Sequence, residues 1–97
     1  MNIENKVVVV TGAASGIGRA LAQAFKNARA DKVYIADLNE EGLAETADLM
    51  DGIAIKTDVS KESEIRNLIE EVNKENDIDI FCSNAGIGGE SVSYTHL

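Results

Sequence analysis

The chain has 97 residues, of which 44% are hydrophobic, with one cysteine and no proline. This length allows one small domain and excludes two. A single cysteine excludes a disulfide framework and favours the reducing cytosol. The formal net charge of −8 argues against a nucleic-acid partner and against an anionic membrane surface. The apolar run Val7 to Val10 is too short for a signal peptide or a membrane span, and the single histidine, His96, leaves no candidate metal site.

The first predicted element is a buried strand, because Val7 to Val10 are four consecutive β-branched residues. A glycine-rich turn follows. Apolar residues then recur at spacings of three and four, which predicts a helix packed on a sheet through Ile17, Leu21, Ala24, Phe25 and Ala28. Val33 to Ala36 form the second predicted strand.

A second helix is predicted to begin after Asn39, whose side chain can cap it, and to end at Asp51-Gly52. Two glutamates follow Asn39, where the helix dipole favours carboxylates. The expected inner face of this helix comprises Leu43, Ala47 and Met50.

The second half of the chain repeats the alternation. Ile53 to Ile55 predict a third strand, and Ser60 is a candidate cap for a third helix. The apolar stripe of that helix is expected to comprise Ile65, Leu68, Ile69 and Val72, and a fourth strand to contain Ile78, Ile80 and Phe81.

The order βαβαβαβ predicts a Rossmann-like α/β fold with three layers. The connections are too long for hairpins, so the strands should be parallel, with helices on both faces of the sheet. We expect the strand order 3-2-1-4. The sequence contains no repeat, low-complexity stretch or linker, so it is interpreted as a continuous part of one domain.

The glycine-rich turn spans Thr11 to Gly18, where the amides and dipole of a helix N-terminus form an anion site. Gly12 permits a tight turn out of the strand, Gly16 lets the backbone approach a pyrophosphate, and Gly18 allows close packing of the helix. Ser15 adds a hydroxyl donor. The alternative is a turn that only joins strand to helix, and the absence of GK[ST] excludes a P-loop.

Asp37 ends the second strand, nineteen residues after Gly18. A carboxylate at this place can accept hydrogen bonds from the ribose hydroxyls of a dinucleotide, and it would repel a 2′-phosphate. This favours NAD over NADP. The alternative is that Asp37 is only a turn residue before the Asn39 cap.

The TGxxxGxG spacing of Thr11 to Gly18 resembles the short-chain dehydrogenase/reductase family, and the resemblance runs from about Lys6 to Gly89. Two further family motifs are present, Asp58-Val59 after the third strand and Asn84-Ala85-Gly86 after the fourth. Ser83 departs from the pattern, because many members have a second asparagine there. NADP-preferring members carry a basic residue where this chain has Ser15 or Leu38, which again favours NAD.

The resemblance implies that Asp58 accepts from the adenine amino group, that Val59 flanks it, and that Asn84, Ala85 and Gly86 line the cofactor. The alternatives are a turn before Ser60 for the first motif and a strand-ending turn for the second. The complete predicted cofactor site comprises Gly12, Ser15, Gly16, Ile17, Gly18, Asp37, Leu38, Asp58, Val59, Asn84, Ala85 and Gly86.

By the same resemblance, the parent protein is an NAD-dependent oxidoreductase that transfers hydride between nicotinamide and a small alcohol or ketone, commonly as a homodimer or homotetramer. The family's catalytic YxxxK motif is absent from this chain. Tyr34 has Leu38 four residues on, and Tyr94 has only three residues after it. We therefore predict no catalytic residue and no activity for this piece. The alternative is a redox-sensing regulator that binds a dinucleotide without catalysis.

Residues 92–97, VSYTHL, are what GTC TCT TAT ACA CAT CTN encodes, which resembles a transposon mosaic-end sequencing adapter. The alternative is a native loop that happens to have this amino-acid sequence. We predict that residues 1–91 are part of a dinucleotide-binding domain and that residues 92–97 are not native. The codon of Ser91 would then be hybrid, partly native and partly adapter. In this interpretation the fold is truncated after strand four, which would be an open edge, and the isolated chain is marginally stable.

Overall fold

The computed structural model describes residues 3–84 and the backbone of residues 91–95. Its helices are α1 (Gly16–Asn27), α2 (Glu40–Met50) and α3 (Glu62–Asn73). Its strands are β1 (Val7–Thr11), β2 (Lys32–Asp37), β3 (Ile53–Lys56), β4 (Ile80–Asn84) and β5 (Ser91–Thr95). Within the described ranges, no helix has the length and apolar character needed to cross a membrane.

The strands form one sheet in the order β3-β2-β1-β4-β5. The pairs β1–β2, β1–β4 and β2–β3 are all parallel. The predicted parallel order 3-2-1-4 is therefore confirmed. From β1 the chain moves outward through β2 to β3 and then returns to the other side of β1 as β4. This reversal creates a topological switch point at the carboxyl ends of β1 and β4, the position where open α/β sheets bind ligands.

The core has two layers because alternate residues of a strand face opposite sides of the sheet. Val8 and Val10 face a cluster that includes Ala22 of α1 and Leu43 of α2. On the other face, a second cluster contains Val7, Val9, Tyr34, Ala36, Leu68, Val72 and Ile78. The run of valines in β1 is buried throughout, as predicted for a strand covered on both faces.

The predicted inner stripe of α1 is wrong at three of its five positions, because Ile17, Ala24 and Ala28 are exposed. Ile17 is 57% exposed, and the fully buried positions of this helix are Gly18 and Ala22. Leu21 and Phe25 pack against the core, as predicted. The helix turns its small residues inward because it lies so close to the glycine turn that a Cβ at Gly18 would overlap the carbonyl oxygen of Gly12.

The cap of α2 is as predicted, and that of α3 is not. The Gly42 N–H donates to Asn39 Oδ1 at 3.1 Å, and Asp51 ends α2 in the left-handed conformation. In α3 the N-cap residue is Lys61 rather than Ser60. The Ser60 hydroxyl is not available as a cap because it donates to Asp58 Oδ1 at 2.6 Å.

The outer edge of β4 is not open, contrary to the expectation of a sheet that ends at strand four. β5 pairs with β4 in antiparallel register, from Ile80 opposite Thr95 to Asn84 opposite Ser91. The direction follows from the short connection, because a parallel return needs a crossover of about a dozen residues or more. The backbone of residues 91–95 thereby satisfies the hydrogen-bonding groups of β4.

Candidate cofactor-binding site

The candidate site lies where β1, β2, β3 and β4 end, and hydrogen bonds hold these ends together. Thr11, the last residue of β1, is 1% exposed, and its Oγ1 accepts from the Asn84 N–H at 3.1 Å. Its hydroxyl lies 3.5 Å from the Cys82 carbonyl. On the other side, the Thr57 N–H donates to the Asp37 carbonyl at 3.0 Å. The four carboxyl ends therefore share one rim of the sheet.

The glycine turn begins at the end of β1, and its conformation requires glycine at two positions. Gly12 has φ of 66° and Gly16 has φ of 59°, both in the left-handed region that L-residues seldom occupy. A Cβ at Gly12 would overlap the Asn84 carbonyl oxygen, so the turn lies directly against the end of β4. A Cβ at Gly16 would meet nothing within 4 Å.

The open space at Gly16 lies at the N-terminus of α1. The first amides of a helix have no partner within it, and the helix dipole adds partial positive charge there. Ser15 is the N-cap residue, but its side chain makes no capping hydrogen bond. Ser15, Gly16 and Ile17 are all exposed. The start of α1 and the Ser15 side chain thus lie at an exposed place on the molecule, which suits the binding of a phosphate.

Asp37 connects the end of β2 to the glycine turn. Its Oδ2 accepts from the Ala14 N–H at 3.0 Å, and its Oδ1 accepts from the Asn39 N–H at 3.1 Å. The second bond gives Asp37 the turn role that is the alternative to ribose recognition. An ionised carboxylate has about four acceptor sites, so capacity for further hydroxyl donors remains. Leu38, the next residue, is 54% exposed and carries no positive charge.

Asp58 and Val59 follow β3, and both are half-buried. Asp58 Oδ1 accepts from the Ser60 N–H at 3.0 Å and from the Ser60 hydroxyl. These bonds hold the pKa of Asp58 below its ordinary value, with the Lys61 charge acting in the same direction. The Asp58 N–H donates to Glu64 Oε1 at 2.8 Å, so α3 fixes the backbone of this motif. Its turn role is therefore present, and the carboxylate stays ionised.

Asn84 is the last residue of β4 and is 8% exposed, close to Gly12. The other two members of its motif, Ala85 and Gly86, lie outside the described residues. Ten of the twelve predicted residues therefore have a described position, and all ten lie at the carboxyl ends of strands or in the segment that follows directly.

Two residues that the sequence did not single out belong to the same region. Arg19 donates through Nε to Thr46 Oγ1 at 2.8 Å and through Nη2 to the carbonyls of Ala14 and Gly42. Thr46 is completely buried. In the sequence, the signal that could have identified Thr46 is its position: a polar residue three positions after Leu43, on the predicted inner face of α2.

The residues present fit a dinucleotide better than a metal. Gly16 leaves space at a helix N-terminus for a phosphate group, and a carboxylate ends the neighbouring strand. Across the described part of the chain, no group of three or more His, Cys, Asp or Glu residues could hold a metal ion. Ser15, Gly16 and Ile17 would hold the phosphates, Gly18 would let the helix pack closely behind the turn, and Asp37 would accept from a ribose.

The fold is that of a doubly wound α/β protein, and its sheet rim carries a candidate anion site of the kind that binds nucleotides. Comparisons with known proteins identify the family. The family model for the short chain dehydrogenase matches residues 6–96. The chain belongs to the short-chain dehydrogenase family.

Among curated relatives, the chain is 43% identical over 88 residues to tropinone reductase-like 2 of Erythroxylum coca, covering 88% of this chain and 32% of that protein. It is 37% identical over 89 residues to the NAD-dependent glycerol dehydrogenase of Listeria innocua, covering 89% of this chain and 35% of that protein. The chain thus spans about a third of the length of these relatives.

A solved short-chain dehydrogenase/reductase from Burkholderia phymatum, in complex with NAD, superposes with a TM-score of 0.72 at 33% sequence identity. The match covers 76% of this chain and 28% of that one. The three-layer fold is therefore shared with that protein.

Proposed function

We propose that this chain is the dinucleotide-binding part of an NAD-dependent oxidoreductase that acts on an alcohol or a ketone. The observation that carries the proposal is the hydrogen bond from the Ala14 N–H to Asp37 Oδ2, which fixes the carboxylate beside the glycine turn. In this arrangement one rim of the sheet combines donors for a phosphate with an acceptor for a ribose. The bound nicotinamide supplies the hydride acceptor or donor.

The chain's own residues divide the work of binding. The exposed amides at the start of α1 and the free Ser15 hydroxyl would bind the pyrophosphate. Asp37 would accept from the hydroxyls of the adenosine ribose. As the family resemblance implies, Asp58 would accept from the adenine amino group with Val59 beside it, and Asn84 would line the cofactor. Ala85 and Gly86 stay predictions of the sequence.

A preference for NAD over NADP has an electrostatic basis. The Asp37 carboxylate would repel a 2′-phosphate, and neither Ser15 nor Leu38 supplies a compensating positive charge. The NAD in the Burkholderia phymatum complex and the NAD dependence in the name of the Listeria innocua relative support this choice.

The catalytic tyrosine and lysine of the family would lie in a part of the protein not contained in these 97 residues. Tyr34 does not fit the catalytic role, because it is 4% exposed in β2 and its hydroxyl accepts from Asn76 Nδ2 at 2.8 Å. We propose that the chain alone binds the dinucleotide without turnover. We further propose a cytosolic parent enzyme that assembles as a homodimer or homotetramer. The regulator alternative gains no support, because both named relatives are described as a reductase or a dehydrogenase.

The test is a pair of dissociation constants, for NADH and NADPH, measured by fluorescence titration of the 97-residue chain. NADH should bind at least roughly tenfold more tightly, because only NADPH places like charge at Asp37. Asp37→Ala should reduce the ratio of the NADPH to the NADH dissociation constant towards one. Asp48→Ala is the matched control, since it removes the same charge from an exposed position of α2.

Tighter binding of NADPH by the unmodified chain would contradict the NAD assignment. Failure to bind either nucleotide, with an intact circular dichroism spectrum, would contradict the dinucleotide site itself. An equal fall in the ratio for Asp37→Ala and Asp48→Ala would show that net charge, not the position of the carboxylate, causes the discrimination.

A further inference from the structure

One peptide group of the glycine turn, between Ala13 and Ala14, is held at both ends. Its N–H donates to Asp37 Oδ2 at 3.0 Å. Its carbonyl, on Ala13, accepts from Thr46 Oγ1 at 2.7 Å. In a trans peptide the N–H and C=O point in opposite directions, so α2 holds one side of this plane and Asp37 the other. The peptide cannot rotate without straining or breaking both bonds.

The Thr46 hydroxyl is itself oriented by Arg19. Arg19 Nε donates to Thr46 Oγ1 at 2.8 Å, and the hydroxyl lies closer to the Ala13 carbonyl than to that of Gly42, at 2.7 Å against 3.1 Å. A chain of donors therefore runs from the guanidinium through the hydroxyl to the peptide. Successive hydrogen bonds of this kind polarise and strengthen one another.

The same guanidinium also fixes the next peptide group. Arg19 Nη2 donates to the Ala14 carbonyl, so the Ser15 N–H of that peptide points the opposite way. The first turn of α2 lies close behind, since a Cβ at Gly42 would be 2.7 Å from the Ala14 carbonyl oxygen. Thr46 is fully buried, and the Arg19 side chain is only 25% exposed. Burial strengthens these hydrogen bonds, because the local dielectric constant is lower than in water.

We propose that Thr46, oriented by Arg19, is a positioning residue that sets the Asp37 carboxylate for recognition of the ribose hydroxyls. This inference rests on the proposed function, in which Asp37 faces the ribose of NAD. Thr46 lies on the opposite side of the Ala13–Ala14 peptide from the carboxylate and acts through that peptide. Helix α2 thereby contributes to nucleotide selectivity through a buried hydroxyl.

A double-mutant cycle between Thr46 and Asp37 tests this coupling. Thr46→Val removes the hydroxyl at nearly constant volume and should weaken NADH binding roughly fivefold in the otherwise unmodified chain. In the Asp37→Ala background the same change should weaken binding less than about twofold, because the carboxylate that it positions is gone. Thr46→Ser should restore affinity to within about twofold, since it keeps the donor.

A second readout does not depend on the nucleotide. Amide hydrogen exchange of Ala14 should become faster in Thr46→Val and return to the original rate in Thr46→Ser, because the peptide would be released at its carbonyl end. If Thr46→Val does not fold, Arg19→Met provides the same cycle with Asp37→Ala. Arg66→Met is its control, because it removes an arginine from an exposed i,i+4 pair on α3.

Equal losses of NADH affinity in both backgrounds, or an unchanged exchange rate at Ala14, would overturn this inference and leave the proposed function standing. If the unmodified chain binds neither NADH nor NADPH, the proposed function fails and the inference fails with it. The two failures are therefore distinguishable by the binding of the unmodified chain.

Discussion

At the scale of single residues, the two carboxylates of the site are held differently. Asp37 bonds to backbone amides on two sides, from Ala14 in the glycine turn and from Asn39 before α2. In the described part of the chain, the Asp58 carboxylate accepts only from Ser60, through one of its oxygens, and it lies at the beginning of an exposed segment. The Asp37 carboxylate thus connects separate segments of the site, whereas the Asp58 carboxylate is oriented by its own local turn.

Ser60→Ala should raise the pKa of Asp58 towards its ordinary value, because the side-chain hydrogen bond from Ser60 is the largest cause of the lowered pKa. A carboxyl-detected NMR titration measures this directly. Ser63→Ala, an exposed serine within α3, is the control and should leave the Asp58 titration unchanged. An unaltered midpoint in Ser60→Ala would contradict the assigned cause.

The lowered pKa also fixes the sign of a pH dependence. A carboxyl group that titrates lower in the folded chain than in the unfolded chain stabilises the fold above its unfolded pKa. That contribution is lost as the pH falls through the lower, folded pKa. The stabilisation from the Asp58–Ser60 turn should therefore be constant at neutral pH and disappear only in acid, as unfolding of the original chain and Ser60→Ala across pH would show.

At the scale of elements, each helix is held by one buried face, and α3 is the clearest case. It covers its side of the sheet through Leu68 and Val72, which are 1% and 0% exposed. Its many glutamates lie mostly on the exposed side. Helix α2 differs because its inner face includes a polar residue, Thr46, whose hydroxyl donates to the Ala13 carbonyl in the glycine turn.

Leu68→Ala should lower the free energy of unfolding by about 2–5 kcal/mol, since it removes buried methyl groups and leaves a cavity under α3. Leu49→Ala on α2 is the matched control: Leu49 is 60% exposed, and its truncation should change stability by less than about 0.5 kcal/mol. Urea denaturation measures both. Similar losses for the two leucines would contradict the described packing of α3.

Thr11→Val should destabilise the junction of β1 and β4 by about 1–3 kcal/mol, because the buried Asn84 N–H loses its acceptor. Thr11→Ser keeps the hydroxyl and should recover most of that loss in the same urea experiment. Equal destabilisation by both substitutions would show that the methyl group, rather than the hydrogen bond, holds these strands.

Periodicity and turn chemistry predicted the elements well, because burial on a sheet imposes a regular apolar pattern. The valine run of β1 and the Asn39 cap of α2 illustrate this. The errors have local causes: Ile17 follows the helical spacing but lies outside the packed face, and Ser60 has a cap's chemistry but bonds to Asp58. In the sequence, Thr46 is marked only as a polar residue on the predicted inner face of α2. Its bonds to Arg19 and to the Ala13 carbonyl join residues 27 and 33 positions apart, so no local pattern predicts them.

At the scale of the whole molecule, the sheet is parallel from β3 to β4, and only β5 runs antiparallel. We propose that residues 92–97 are not native to the parent protein, on the resemblance of their coding sequence to an adapter. Sequencing of the source locus should show a different continuation from within codon 91 onward, and genomic DNA encoding VSYTHL without interruption would refute it.

Binding of a dinucleotide at one rim of the sheet is tested most directly by an NADH titration followed in ¹⁵N–¹H spectra. We expect saturable shifts in the amides of Ser15, Gly16 and Ile17 and at Asp37, because these surround the proposed phosphate and ribose positions. The groove between the ends of α1 and α2, lined by Gln23 and Leu49, should stay unperturbed. Shifts confined to that groove, or no shifts at saturating NADH, would contradict dinucleotide binding at this rim.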